Sequence, residues 1–333
     1  MTSVLAQYKK TRLWSWAREN WVGQLVRFFR SCRRECRGWV RAEHVVEPGV
    51  AQLTESLAEL RVHSCDDGSG MLDTEMPIFL LATAWRSGST LLQRILVTDR
   101  RLLLWGEPLG EMALPARIAA MLSNCVSPVA LRLWSSQDES LLSSPATSWI
   151  ATLSPPADDF RSALRCLFDR WLGEPARRRG FTRWGLKETR LGAAEATLLH
   201  WLFPRAKFVI LSRHPYDCYR SFADSGWGRL YHTYPEVCID SATAFARHWN
   251  RLALGLSALP AGFPCFHLKY EDLVDRKTDF RQLESWLGIE IKEEIALSRS
   301  VGGTARRSRL NWLERSIIEH EAHEGMRALG YSN

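Results

Sequence analysis

The stretch that most constrains this chain is the apolar run Ile78-Phe79-Leu80-Leu81-Ala82 with the loop behind it, Ala84-Trp85-Arg86-Ser87-Gly88-Ser89-Thr90-Leu91. A short continuous apolar run suits a strand buried on both faces of a parallel sheet. A helical pattern, Leu91-Leu92-Gln93-Arg94-Ile95-Leu96, begins at once, so the loop must turn strand into helix within a few residues. The alternation then returns, with Arg183 to Lys187 as a strand, 191 to 203 as a helix and Lys207 to Ser212 as a strand. A helix from Pro215, a strand from Cys265 to Tyr270 and a closing helix from Asn311 to Leu329 complete it. Strands alternating with helices predict an α/β fold, a mostly parallel sheet flanked by helices, with its ligand at the carboxyl ends of the strands.

Composition narrows the class. With 46% hydrophobic and 24% charged residues among 333, the chain is globular and neither disordered nor fibrous. It has no run of 18 apolar residues and no signal-peptide pattern at its start, which leads us to expect a cytoplasmic protein. Eight sparse cysteines without a Cys-x-x-Cys pair are expected to be reduced thiols; Cys32-x3-Cys36 has no histidine cluster to complete a metal site, and no metal is expected. The net charge of +7 is unevenly spread: residues 1 to 48 hold ten basic and four acidic side chains, so the other 285 residues carry only +1.

Two domains are expected: a basic helical extension and linker over 1–76, and a main domain over 77–333. Within the extension, 12 to 41 reads as an amphipathic helix with Trp14, Trp21, Leu25, Phe28, Cys32, Cys36 and Trp39 on one stripe and arginines around much of the remainder. Two readings stand: the stripe packs on the main domain, or the helix meets anionic lipid or steers an anionic ligand. Glu47-Pro48-Gly49 reads as a turn, 50 to 60 as a second helix, and 65 to 70 as a polar linker.

The loop after the first strand has the chemistry of an anion site. A backbone passing from strand to helix aims free N–H groups at one point, and the helix end adds partial positive charge there. Gly88 allows close approach, Ser87, Ser89 and Thr90 add hydroxyls, and Arg86 supplies charge. The loop is P-loop-like, but it lacks the first glycine and the lysine of Gly-x-x-x-x-Gly-Lys-Ser/Thr, so ATP with magnesium fits poorly. Further on, Arg213 ends a strand and Ser221 follows on the next helix, placed to converge on a second phosphate.

Together these residues resemble the sulfotransferases that use 3′-phosphoadenosine 5′-phosphosulfate. The resemblance covers roughly 77 to 333 and implies that Arg86, Ser87, Gly88, Ser89, Thr90 and Leu91 hold the 5′-phosphosulfate and that Arg213 and Ser221 hold the 3′-phosphate. Leu268-Lys269-Tyr270-Glu271-Asp272-Leu273 and the closing Met326-Arg327-Ala328-Leu329-Gly330-Tyr331 are also similar to the family. Gly302 to Arg309 is similar to a loop that closes over the 3′-phosphate, which implicates Arg306 and Arg307. Adenosine 3′,5′-bisphosphate is the implied product. Trp105-Gly106-Glu107-Pro108 resembles the Gly-Glu-Pro element whose glutamate acts as general base, and Lys187 stands where relatives place a lysine near the transferring group.

Glu188 and His214 are rival bases, although Glu188 alternates to the other face of its strand from Lys187. Asp217, Glu271 and Asp272 are expected to fix turns and helix starts rather than touch substrate. The stretches 109 to 182 and 224 to 240 (Asp224, Trp227, Tyr231, Tyr234) are assigned to a small-molecule, carbohydrate or lipid acceptor, and no nucleic acid is expected. Two other classes compete. One is a non-enzymatic basic membrane or nucleic-acid binder on a degenerate fold, whose affinity would vanish with residues 1 to 48. The other is a kinase-like phosphotransferase, which needs acidic metal ligands near the loop.

Overall fold

The computed structural model describes residues 21–41, 50–62, 76–108, 112–123, 146–147, 157–225, 232–233, 237–292 and 309–331. Helices α1 (Trp21–Arg41) and α2 (Val50–Val62) precede β1 (Ile78–Ala82), α3 (Ser89–Leu96), β2 (Leu102–Trp105) and α4 (Leu114–Ser123). Next come α5 (Ala157–Phe168), a π-helical turn at Asp169–Gly173, α6 (Glu174–Arg177), β3 (Arg183–Glu188), α7 (Ala193–Leu202), β4 (Lys207–Ser212) and α8 (Pro215–Asp224). A two-residue antiparallel pair, β5 (His232–Thr233) and β6 (Val237–Cys238), leads to α9 (Ala242–Ser257), β7 (Cys265–Lys269), α10 (Tyr270–Val274), α11 (Phe280–Leu287) and α12 (Trp312–Ala328).

Among the described residues, five parallel strands form one sheet in the order β2-β3-β1-β4-β7. The central strand is the run that dominates the sequence, and all five of its residues are buried. Successive side chains leave opposite faces. Phe79 and Leu81 join Phe208 and Ile210 in one core, against α2, α4, α5 and α7. Ile78, Leu80 and Ala82 join Val209 and Leu211 in the other, against α3 and α11. A third cluster holds α8, α9 and α12 together through Phe245, Trp249, Ile318 and Met326. The expected α/β fold with a mostly parallel sheet flanked by helices is the one observed.

Three expectations are revised. Helix α2 places Leu53 and Leu57 inside the first core, so the second helix of the expected extension packs on the main domain. The described part of 109–182 also supplies core: Ile118, Leu122, Phe168, Leu172 and Ala176 are buried in the same cluster, which takes them out of an acceptor surface. Trp227, Tyr231 and Tyr234 lie outside the described residues or their described side chains.

The third revision concerns α1. Among its described side chains the most buried are Ser31 and Glu35, while Leu25 and Cys36 of the expected apolar stripe are exposed. The reason lies in the helix starts that it meets, because the first N–H groups of a helix have no partner within it. The Glu35 carboxylate accepts from Ala242 N (2.7 Å) and Thr243 N (3.1 Å) at the start of α9, where the helix dipole also favours negative charge. Ser31 Oγ donates to Glu314 Oε1 at 2.7 Å in the first turn of α12. The helix is anchored by polar contacts, and part of its apolar stripe remains outside. Cys32, Cys36, Cys166, Cys218, Cys238 and Cys265 form no disulfide, and no helix among the described residues is long and apolar enough to cross a membrane.

Candidate active site

Sheet order brings the flagged loops side by side. β3, β1 and β4 are neighbours, so the segments leaving their carboxyl ends (Thr189 onward, the 84–90 loop, and Arg213 with α8) share one rim. Arg86 sits there in the left-handed region at φ 65°, a conformation that costs a non-glycine residue roughly 1–3 kcal/mol. Two contacts hold it. Arg213 Nη1 donates to the Arg86 carbonyl at 2.8 Å, and Arg86 Nε donates to Ser221 Oγ at 3.1 Å. The residues assigned by sequence to two separate phosphates are therefore one hydrogen-bonded group.

Arg213 is only 5% exposed, and its guanidinium lies 4.2 Å from the Tyr270 ring centre. The same tyrosine packs over Gly88, whose φ is 93°. A Cβ at position 88 would lie 2.1 Å from Tyr270 Cδ2, so glycine is required both by backbone and by space. Gly88→Ala is expected to lower the melting temperature by several degrees and to loosen Arg213, since the substituent displaces the tyrosine that supports it. Thermal unfolding of that variant checks it; an unchanged melting temperature would show that the loop tolerates the displacement.

The two secondary motifs converge on the same turn. Glu271 Oε1 accepts from His214 N at 2.9 Å, Tyr331 Oη donates to Glu271 Oε2 at 3.1 Å, and the same hydroxyl lies 3.1 Å from Ser212 Oγ. Trp249 Nε1 donates to the Arg213 carbonyl at 3.1 Å. Glu271, Tyr331 and Trp249 thus fix the backbone on either side of Arg213. His214 caps α8, its Nδ1 accepting from Tyr216 N at 3.3 Å, and its ring packs on Tyr216 and Tyr331. Asp217 pairs with Arg220 within α8.

On the other side of the rim, Lys187 Nζ donates to Glu107 Oε1. The lysine side chain is 8% exposed and the glutamate side chain 28%, so Glu107 is the member of the pair that solvent or an acceptor can reach. Register sets Lys187 beside Leu80 and Glu188 beside Leu81, and their side chains leave opposite faces of the sheet. Glu188 is fully buried; its Oε1 accepts from Thr189 N at 2.9 Å, and its Oε2 has no hydrogen-bond partner among the described residues. Burial, with the nearby Glu107 charge, raises its pKa from 4.5 to about 7.

That shift has a stability consequence. Below pH 4.5 the carboxyl is protonated in folded and unfolded chain alike, and between 4.5 and about 7 only the unfolded chain ionises, so this group's contribution to stability falls as pH rises through that window. Glu188→Gln removes the penalty while keeping an acceptor for Thr189 N. It is expected to match the wild type near pH 4 and to exceed it at pH 8 by an amount on the order of 3 kcal/mol, read by urea unfolding. A variant less stable at pH 8 would mean that the ionised acid is held by a favourable partner.

Ser87 is 0% exposed and its Oγ has no hydrogen-bond partner among the described residues; the same holds for Arg213 Nε. Two buried donors without acceptors, beside the free N–H groups at the start of α3, are what an oxyanion would complete. Ser89 opens α3, Thr90 is exposed on it and Leu91 is half-buried, its N–H directed back to the Gly88 carbonyl at 2.9 Å. Arg306 and Arg307 lie outside the described residues. No group of three or more metal-ligating side chains occurs among the described residues. Tyr270 and Trp249 are the supporting side chains that sequence reasoning missed; the only signal for the first was its place in Leu268–Leu273.

Comparison with known proteins adds the family. The chain is similar in fold to the sulfotransferase domain from the curacin biosynthetic pathway, at 19% identity, covering 78% of this chain and 98% of that one with a TM-score of 0.44. It is also similar to the sulfotransferase domain of the Synechococcus PCC 7002 olefin synthase (17%, 78% and 97%, TM-score 0.40). A third is a sulfotransferase from Alicyclobacillus acidocaldarius (12%, 76% and 94%, TM-score 0.39). No curated protein matches the chain. Residues 77–293, well over half of the chain and spanning the loop, the Glu107–Lys187 pair and Arg213, match the model of the Sulfotransferase family, and the chain belongs to that family.

Proposed function

We propose that this chain transfers a sulfuryl group from 3′-phosphoadenosine 5′-phosphosulfate to a hydroxyl or amine of a small-molecule, carbohydrate or lipid acceptor, with Glu107 as general base. The observation that carries the reading is the single network of Arg86, Arg213 and Ser221, with buried donors on Ser87 and Arg213 and the Lys187–Glu107 pair on the same rim. The donor, when bound, supplies an activated sulfur–oxygen bond to a phosphate leaving group.

The chain's residues then divide the work. Glu107 takes the proton of the acceptor as its oxygen or nitrogen bonds to sulfur, and the bond from sulfur to the phosphate oxygen breaks. Lys187 orients the Glu107 carboxylate and offers a positive charge where that phosphate oxygen gains electrons. Arg86 and the N–H groups at the start of α3 hold the same charge from the other side. Arg213 and Ser221 anchor the second phosphate, fixing the nucleotide so that the sulfur stays in line. Glu188 lies too deep to meet an acceptor, and the His214 ring is committed to the α8 cap, which supports Glu107 as the base.

Incubation of the full chain with donor labelled in the sulfuryl group, across a panel of alcohols, phenols, sugars, lipid headgroups and amines, tests the reading. The expected result is label on an acceptor at a rate unaffected by EDTA. Phosphoryl transfer from ATP that needs magnesium would overturn it in favour of a phosphotransferase.

A further inference from the structure

Helix α1 is docked on one side and open on another. Phe28, Ser31 and Glu35 fall on the docked side, where Phe28 stacks on Trp312 at 5.7 Å. Around the helix from them, Leu25 is 42% exposed and Phe29 67% exposed, and Cys32 and Cys36 continue the same line at helical spacing. Trp312, at the start of α12, is 69% exposed and widens this seam. Beyond it lie Val26, also exposed, and the exposed Arg30 and Arg33. The surface is an apolar seam with a basic shoulder. Several large apolar side chains exposed together mark an interaction site.

Charge selects the occupant. Residues 1 to 48 carry a net +6, and the remaining 285 carry +1. A second copy of the chain would bring like charge to the seam. Nucleic acid would match the arginines and leave Leu25, Phe29 and Trp312 without an apolar partner. An anionic bilayer surface offers acyl chains to the seam and phosphates to the shoulder, which is how a basic amphipathic helix lies in a membrane interface. We propose that the outer face of α1, together with Trp312, is a peripheral contact for membranes rich in anionic headgroups. The helix lies along the surface and the body, anchored through Glu35 and Ser31, stays on the aqueous side. The proposal does not depend on the identity of the reaction.

Flotation of the full chain with vesicles of phosphatidylcholine alone, or with about a third phosphatidylglycerol, tests the proposal. The expected result is binding at least about tenfold stronger to the anionic vesicles at low salt, falling steeply as salt rises. Phe29→Ser with Trp312→Ser, and separately Arg30→Glu with Arg33→Glu, should each weaken it at least about tenfold; circular dichroism checks that both variants stay folded. Equal failure to bind either vesicle, binding unchanged in both variants, tighter binding to duplex DNA than to vesicles, or a dimer in light scattering that the Phe29 and Trp312 substitutions dissociate would each overturn it.

Discussion

Glu107→Gln is expected to keep adenosine 3′,5′-bisphosphate affinity within a few-fold of the wild type and to lose at least about a hundredfold in turnover, the lower end of what a positioned base contributes. Glutamine keeps an oxygen that Lys187 Nζ can reach, so the partly buried lysine retains its acceptor and the rim keeps its shape. What is lost is the capacity to take a proton. Glu107→Ala separates the structural part from the chemical part. It leaves Lys187, 8% exposed in its side chain, without its carboxylate, and so should also destabilise the fold, which the glutamine variant should not. Near-normal turnover in Glu107→Gln would contradict its role as the base.

Arg213→Ala is expected to weaken adenosine 3′,5′-bisphosphate binding by about 3 kcal/mol, or roughly a hundredfold, the scale of hydrogen bonds to a charged partner. Arg213 acts twice. Its buried Nε has no partner among the described residues and is the donor proposed for the phosphate, and its Nη1 holds the carbonyl of the strained Arg86. The second role predicts that the loop loosens as well, so Arg86 loses part of its contribution. Arg213→Lys tests the geometry: charge is kept, but one ammonium cannot serve the Arg86 carbonyl and a phosphate through a planar fork. It should recover only a small part of the affinity. Full recovery would mean that charge alone is at work.

β1 and β4 were legible because each is a short, largely apolar run bounded by turn residues, which suits a strand buried in a parallel sheet. Ile78–Ala82, Lys207–Ser212 and the Pro215 helix start stand where their residues put them. The loop and the Arg213–Ser221 spacing were legible for a related reason, since both sit at strand-to-helix junctions. Their union through Arg86 was not. Sequence spacing assigns each motif its own phosphate, and only the adjacency of β1 and β4 lets Arg86 reach Ser221 across 135 residues. The support by Tyr270 was hidden likewise, because a ring over a glycine leaves no periodic trace. Helix α1 misled because amphipathicity was equated with apolar burial. Its docked face carries Phe28, Ser31 and Glu35, the last set by the N–H groups at the start of α9 and Ser31 by the Glu314 carboxylate on α12, partners that the local pattern does not contain.

The central claim is that the Arg86–Arg213–Ser221 network receives a 3′-phosphorylated adenine nucleotide. Isothermal titration of the full chain with adenosine 3′,5′-bisphosphate in EDTA tests it most directly. One-to-one binding that Arg213→Ala abolishes or weakens about a hundredfold is the result predicted. No binding by the wild type, or binding that Arg213→Ala leaves unchanged, would contradict it.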